Sequence, residues 1–253
     1  PDLFISATVG TWASPFWLLY ADSVWRQGGD TGFHGPGNGR EQWLTYRDMH
    51  AYVYVAQAGP LYPFNSLMLH GPCIGERAQP ARMPLDEQSV RNEFRTFFGS
   101  GTALQELYIS PHLLTPAMWD DLASAVTWAR SRADALRDSH WIGGHPGEGE
   151  IYGWAGWRPG FGVITLRNPS DQPQVHMLNV AHVLDLPPGH PAGHLVCRVA
   201  GLREFRIHSR AGRQRVPVRL QRHQARGTGR IRPRRESPGV RQLPGAGLIV
   251  HCR

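Results

Sequence analysis

The chain lacks lysine entirely, has only three cysteines, and has no apolar run long enough to cross a bilayer. Cys73, Cys197 and Cys252 are too few and too scattered for a disulfide framework, and without a C-x-x-C pair a cysteine-based zinc site is not expected. The cysteines therefore do not indicate the cellular compartment. The longest apolar runs, such as Phe16 to Ala21, fall well short of the roughly 20 residues of a transmembrane helix, so we expect no membrane segment.

Because lysine is absent, all 27 cationic side chains are arginines, and they are unevenly distributed. Residues 1–197 hold 12 Arg against 18 Asp and Glu, a net charge of −6, whereas residues 198–253 hold 15 Arg against Glu204 and Glu236, a net charge of +13. A basic tail can indicate nucleic-acid binding. These arginines lie in no recognisable module and no aromatic stacking residues are interleaved after Phe205, so we expect no nucleic-acid partner.

An arginine-rich stretch without lysine is also typical of GC-rich coding DNA that is read out of frame. We therefore predict that the reading frame is lost between Gly189 and Arg203, which leaves residues 191–253 as a basic tail. Translation of the other two frames of the coding DNA tests this interpretation.

Strand-like and helix-like segments alternate along the first part of the chain, each ending near Gly or Pro. The candidate strands are Leu3 to Val9, Phe16 to Ala21, Phe64 to Leu69 and Ala103 to Ile109. The candidate helices are Glu41 to about Gln57, Glu87 to Phe98, and one that begins with Thr115 as its N-cap. Alternation of this kind is typical of a parallel α/β fold.

After Trp141 the pattern changes to short strand-like runs, "EIYGWAGW", "FGVITLRN" and "QVHMLNV", which are joined by Pro- and Gly-containing turns. This pattern favours an antiparallel sheet or sandwich. We place a domain boundary near residues 143–150. The predicted organisation is an α/β unit over 1–145, the start of a β-sandwich over 146–190 and the basic tail over 191–253.

Two carboxylates lie close together in the stretch "WLLYADSVWRQGGDTG". Asp22 follows an apolar strand candidate, which is where an α/β barrel places a catalytic carboxylate. Asp30 lies in a glycine-rich loop that lacks the Gly-Lys-Ser/Thr ending of a phosphate-binding loop and has too few oxygen ligands for calcium. The structural alternatives are a capping residue for Asp22 and a turn residue for Asp30.

Tryptophans cluster around these carboxylates: Trp12, Trp17, Trp25 and Trp43. Several belong to a core, since burial is the usual fate of aromatic side chains. Aromatic rings beside carboxylates are also typical of sugar sites, and two carboxylates flanking a glycosidic bond make a glycosidase. Asp22 is our candidate catalytic residue, and the candidates for substrate binding are Trp17, Trp25, Arg26 and Asp30.

His140 and His145 flank a Gly-Gly segment without a carboxylate set beside them, so loop histidines are the simpler interpretation and we expect no metal site.

The order of these segments resembles the second half of the barrel of clan D glycoside hydrolases, the α-galactosidase or melibiase group. "FWLLYADSVW", "YPFNSLMLH", "FFGSGTALQELYISPHLL" and "WARSRADAL" carry the resemblance, which covers roughly residues 3–180. Tyr108 stands where the group has an Asp, and Trp128-Ala129 stands where it has Tyr-Lys. The chain is also similar to a divergent bacterial enterotoxin-like group with the pattern W-x-x-D-S-x-W-R-x-G-x-D-x-G.

The resemblance implies the C-terminal half of a (β/α)8 barrel followed by a partial antiparallel β-sandwich, in a fragment of a retaining glycosidase. It assigns the general acid/base role to Asp22 and places the nucleophile upstream of Pro1, so we expect little or no hydrolysis by this chain alone. The alternative is a non-catalytic carbohydrate-binding or secreted interaction protein. We expect a carbohydrate substrate and no cofactor, with a secreted or periplasmic location favoured.

Overall fold

The computed structural model describes residues 3–8, 14–59, 62–77, 83, 85–187, 195–199, 205–207, 215–220 and 247–252. In the strands after residue 187, it describes the side chain of Leu220 alone. Most of the predicted basic tail and Trp12 lie outside the described residues.

Short parallel strands alternate with helices in the first part of the chain, as the sequence predicts. Strands β1 (Ser6–Ala7), β2 (Ser23–Trp25) and β3 (Leu67–Met68) form a parallel sheet in that order, and β4 (Cys73–Ile74) pairs in parallel with β5 (Tyr108–Ile109). The strands are shorter than the runs of strand-forming residues that predict them. Within the described residues β1 pairs only with β2, and no closed barrel is formed.

Three helices of this part begin at side-chain caps. In α1 (Gly39–Ala51), α2 (Glu87–Gly99) and α3 (Pro116–Arg130), the caps Asn38, Asp86 and Thr115 accept hydrogen bonds from backbone N–H groups of the first turn. The predicted N-cap at Thr115 is therefore confirmed. The predicted helix from Glu41 to Gln57 becomes α1 and a π-helical turn over Tyr52–Ala56.

The predicted strand from Phe16 to Ala21 is wrong. Pro15–Leu19 is a 3-10 helix, which Ser14 caps and Pro15 begins. A proline cannot donate to a strand ladder, but it fits the first position of a helical turn. Phe16, Leu19 and Tyr20 are about three-quarters exposed, at 75%, 74% and 75%, so the apolar composition of this run does not reflect burial. Strand β2 begins only at Ser23, after Asp22.

The second part of the chain is antiparallel, as predicted. A six-stranded sheet has the order β11-β10-β13-β8-β7-β6, and β9 pairs with β12 in a separate two-stranded sheet. The strands are β6 (His140–Gly143), β7 (Tyr152–Arg158), β8 (Phe161–Arg167), β9 (Gln174–Asn179), β10 (Leu195–Val199), β11 (Phe205–Ile207), β12 (Arg215–Leu220) and β13 (Gly247–Cys252). Two short helices, α4 (Ala133–Leu136) and α5 (Val180–Val183), lie before β6 and after β9, and 3-10 turns span Phe64–Ser66, Pro111–Leu113 and Pro146–Glu148. The sandwich itself stays a prediction.

The main hydrophobic core joins the two parts. Buried side chains of α2 and α3 share it with Tyr152, Trp154 and Val163 of the antiparallel sheet. A second cluster places Leu178 of β9 and Leu220 of β12 with Ile164 and other residues of the larger sheet. The domain boundary near 143–150 stays a prediction, and the first core extends across it.

A buried polar network also connects helix α1 to strands β7 and β8. Arg167 donates to Glu41 Oε2 at 2.8 Å and to Thr45 Oγ1 at 2.9 Å, and the Tyr152 hydroxyl donates to Asp48 Oδ2 at 2.5 Å. Arg47 Nε donates to the other Asp48 oxygen at 2.8 Å. The antiparallel sheet therefore fixes the position of α1.

No helix in the described part of the chain combines the length and the apolar character needed to cross a membrane.

Candidate functional site

The ends of strands β2 and β3 bring polar side chains together beside β5. The loop of residues 26–30, here called the Asp30 loop, follows Trp25 at the end of β2, and His70 lies two residues after the end of β3. In parallel sheets the loops after the strands carry functional groups. The ring centre of His70 lies 5.0 Å from that of Tyr108 in β5, so Tyr108 belongs to the same cluster.

Arg26 fixes the conformation of the Asp30 loop from inside. Its side chain is fully buried, lies 4.4 Å from the centre of the Trp25 ring, and donates hydrogen bonds to the carbonyls of Gln27 at 2.8 Å and Gly29 at 3.0 Å. Burial lowers the pKa of Arg26 to about 10, and repulsion from Arg47 adds to this effect. Arg26 therefore remains charged at neutral pH and acts on the loop's backbone.

The Asp30 loop turns sharply against helix α1. Gln27 and Gly28 adopt positive φ angles of 71° and 77°. A side chain on Gly28 would place its Cβ 1.9 Å from the ring of His50, and one on Gly29 would meet the Tyr46 hydroxyl at 2.8 Å. The tight turn and this close approach require glycine, and they leave the Asp30 side chain exposed.

His70 is packed among aromatic rings in a defined tautomer. Its ring centre lies 6.3 Å from that of Trp25 and 5.1 Å from that of Trp43. Nδ1 lies 2.9 Å from the Gly71 carbonyl oxygen, which can only accept, so Nδ1 carries the proton. Burial lowers the pKa of His70, and repulsion from Arg26 and Arg47 adds to this effect, while the hydrogen bond to the Gly71 carbonyl and the charge of Asp30 oppose it. At neutral pH His70 is uncharged, and Nε2 is a hydrogen-bond acceptor.

Tyr108 and Glu106 complete the cluster. The Tyr108 hydroxyl donates to Glu106 Oε2 at 2.6 Å, and 44% of the Tyr108 side chain is exposed. Burial raises the pKa of Tyr108 well above its ordinary value, with further contributions from Glu106 and Asp30. The charge of Asp30 contributes to the pKa of both His70 and Tyr108. The ring contact of His70 with Tyr108 and the hydrogen bond of Tyr108 to Glu106 join these three side chains in one cluster.

The structure separates the site residues predicted from the sequence into two groups. Trp25 ends β2 and Arg26 and Asp30 follow it in the Asp30 loop, whereas Trp17 and Asp22 precede that strand. The prediction that Asp22 follows a strand is therefore wrong.

The Asp22 carboxylate has a structural contact. It accepts a hydrogen bond from the Ile5 N–H at 2.7 Å, and the Asp22 N–H donates to the Ile5 carbonyl at 2.7 Å. The two bonds tie the segment before β2 to the segment before β1. The catalytic role of Asp22 stays a prediction that this position does not favour.

The sequence alone indicates no catalytic or binding role for His70, Glu106 or Tyr108. His70 ends the run "YPFNSLMLH", and Tyr108 occupies a position at which the resemblance implies an Asp, so both lie in segments that the sequence marks. Their proximity depends on the pairing of β4 with β5, which no local pattern reveals.

In the described ranges no three His, Cys, Asp or Glu side chains are grouped so that they could hold a metal ion. His140 Nε2 lies 2.9 Å from the Val183 carbonyl, and His145 Nδ1 accepts from the Gly147 N–H at 2.9 Å. Both contacts are structural, but His140 begins strand β6, so the prediction that it lies in a loop is wrong, while His145 caps the 3-10 turn Pro146–Glu148.

The lowered pKa of His70 predicts weaker stability in acid. Its ordinary pKa is 6.5, and burial keeps the folded-state value below that. As the pH falls through about 6.5 the unfolded chain takes up the proton first, so the free energy of unfolding decreases until the folded-state pKa is passed. Burial also lowers the pKa of His50 and His176, so both add to the loss of stability in acid.

Urea unfolding at about pH 7.5 and about pH 5.5 measures this effect. We expect the difference between the two pH values to be smaller in His70→Gln than in the wild type. His112→Gln is the control, because His112 is an exposed residue paired with exposed Glu76. An unchanged pH dependence in His70→Gln would contradict the assignment.

Comparison with known proteins identifies the fold alone. No family model matches the chain, and no curated protein matches it significantly in sequence. Its structure is similar to that of α-galactosidase I from Mortierella vinacea, with a TM-score of 0.54 and 10% identity, over 99% of this chain and 58% of the other. It is also similar to a putative α-galactosidase from Bacteroides fragilis NCTC 9343, with a TM-score of 0.52 and 11% identity, over 99% of this chain and 47% of the other. The chain thus spans about half the length of these proteins and shares their fold at a coarse level.

Proposed function

We propose that this chain is part of a glycoside hydrolase with the α-galactosidase fold, and that its sugar site lies beside Asp30, His70 and Tyr108. The observation that carries the proposal is that the His70 ring, after β3, contacts Tyr108 at the start of β5 and Trp25 at the end of β2, directly before the Asp30 loop, in a fold shared with two α-galactosidase structures. In this proposal the parallel strands belong to the C-terminal half of a (β/α)8 barrel, and the antiparallel sheet belongs to the following β-sandwich.

The surface at β1 supports a larger barrel. Among the described residues one edge of β1 is unpaired, and Leu3, Phe4 and Ile5 are 78%, 51% and 50% exposed. Parallel sheets are usually covered and paired, and exposed apolar patches mark surfaces that contact other protein. Further strands of the barrel would cover this surface.

Asp30 is our candidate for the general acid/base in place of Asp22. Both side chains are exposed, but Asp30 lies after the end of β2, whereas Asp22 lies before that strand and its carboxylate accepts a hydrogen bond from the Ile5 N–H. In the complete enzyme Asp30 would protonate the leaving oxygen and later deprotonate water, while a second carboxylate from another strand forms the glycosyl-enzyme intermediate. A retaining mechanism requires the two carboxyl groups to lie about 5 to 5.5 Å apart.

The chain is expected to bind an α-galactoside through Asp30 without hydrolysing it. Methyl α-galactoside binding can be followed by tryptophan fluorescence, because Trp25 and Trp43 pack against His70. Asp30→Asn should weaken binding about tenfold or more, since a hydrogen bond to a charged group is worth about 1.5 to 3 kcal/mol. Release of nitrophenol from nitrophenyl α-galactoside should stay at background.

Asp22→Asn is the matched control, because it makes the same chemical change at the opposite end of β2. We expect it to leave sugar binding unchanged. Loss of binding in Asp22→Asn with none in Asp30→Asn would return the role to Asp22, and absence of sugar binding by the wild type would refute the proposed site. Measurable turnover would show that the chain already holds both catalytic carboxylates.

A further inference from the structure

We infer that Glu106, Tyr108 and His70 form an acceptor wall that binds the hydroxyl groups of a neutral sugar and discriminates against acidic sugars. The inference rests on the proposed sugar site and specifies the class of sugar that enters it.

The side chains of Glu106 and Tyr108 point to the same side of the chain at the start of β5. Residues two apart on an extended chain point in the same direction, and the hydrogen bond of 2.6 Å between their side chains shows that they do so here. A Cβ on Gly71 would lie 1.8 Å from the Glu106 carbonyl oxygen, so this backbone lies directly against the residue after His70. The pair is thereby held beside the His70 ring.

The groups of the wall are mainly hydrogen-bond acceptors. The Tyr108 proton is directed to Glu106, which leaves the phenolic oxygen able to accept. His70 donates through Nδ1 to Gly71, so its neutral Nε2 accepts. The Glu106 carboxylate has acceptor capacity beyond the one bond from Tyr108. Sugar hydroxyls supply the matching donors.

The charges around the wall favour a neutral ligand. The carboxylates that act on Tyr108 are Glu106 and Asp30, both outside the buried core. The arginines that act on His70 are Arg26 and Arg47, and both are fully buried. A uronate brought to this surface would meet two carboxylates while the arginine side chains stay inaccessible. Specificity of this kind arises from repulsion of the wrong ligand as well as attraction of the right one.

The test compares methyl α-galactoside with methyl α-galacturonide, which differs by a carboxylate at C6. We expect the wild type to bind the neutral sugar at least about tenfold more tightly at low ionic strength. Glu106→Gln should weaken binding of the neutral sugar about threefold to tenfold and reduce the discrimination against the uronide. Tyr108→Phe removes the phenolic oxygen and the hydrogen bond that orients Glu106. It should weaken binding of the neutral sugar by a smaller factor, because the charged Glu106 carboxylate remains as an acceptor.

Glu76→Gln is the control, since Glu76 is an exposed carboxylate paired with His112. It should bind both sugars like the wild type. If Glu106→Gln and Tyr108→Phe also bind both sugars like the wild type while Asp30→Asn loses binding, the acceptor wall is refuted but the proposed sugar site is supported. If neither sugar binds the wild type, the proposed function fails instead. Circular dichroism of each variant confirms that the fold is retained.

Discussion

Replacing Arg167 with methionine is expected to lower the free energy of unfolding by about 3 to 5 kcal/mol, the usual cost of leaving a buried charge without its partner. The Arg167 side chain is 1% exposed and donates to Glu41, Thr45 and Tyr152. Methionine keeps an unbranched side chain but ends two atoms short of the terminal guanidinium nitrogens and has no donor. The Glu41 carboxylate, which is 10% exposed, would lose the cation that compensates for its burial.

Urea unfolding followed by tryptophan fluorescence measures the change. Arg158→Met is the control, because Arg158 lies exposed at the end of the neighbouring strand β7, and its loss should cost less than about 1 kcal/mol. The double variant Arg167→Met with Glu41→Gln should recover part of the loss, because the uncompensated charge is then removed. A loss in Arg167→Met no greater than that in Arg158→Met would show that the network adds little stability.

Gly71→Ala is expected to destabilise the fold by about 3 kcal/mol and to abolish sugar binding. The added Cβ would lie 1.8 Å from the Glu106 carbonyl oxygen, a backbone atom that cannot rotate away. The chain before β5 must therefore move away from His70. Such a shift separates Glu106 and Tyr108 from the rest of the site.

Gly160→Ala distinguishes this local effect from a general loss of stability. Gly160 lies in the turn between β7 and β8 with open space around it, but its φ angle is +79°. The strain should cost about 1 kcal/mol and leave the sugar affinity unchanged. Wild-type affinity in Gly71→Ala would mean that the position of Glu106 does not matter for binding.

Local signals predicted much of the fold. Thr115 before Pro116 predicted the start of α3, because capping depends only on neighbouring residues. The Pro-Gly turn between "EIYGWAGW" and "FGVITLRN" predicted the hairpin of β7 and β8 in the same way. The prediction of a strand after Ser14 is wrong, because the apolar composition of this segment suggests burial although Phe16 is three-quarters exposed.

The candidate site was only partly predictable. Trp25, Arg26 and Asp30 are neighbours in sequence, so one glycine-rich loop was enough to group them. The contact between His70 and Tyr108 depends on the pairing of Cys73 in β4 with Tyr108 in β5, and these residues are too far apart in the sequence for a local pattern to predict their pairing. Sequence patterns also could not show that Arg26 faces inward, since arginine is usually exposed and its burial depends on the carbonyls of Gln27 and Gly29 that the folded loop presents.

The hydrogen bond between Arg167 and Glu41 has a consequence during synthesis. The two residues are 126 positions apart, and helix α1, which carries Glu41, also supports the Asp30 loop through Tyr46 and His50. Until Arg167 has been translated, Glu41 lacks the cation with which it pairs in the folded chain. Because chains fold from the N-terminus as they emerge, the proposed sugar site reaches its final shape only after strand β8 has been translated.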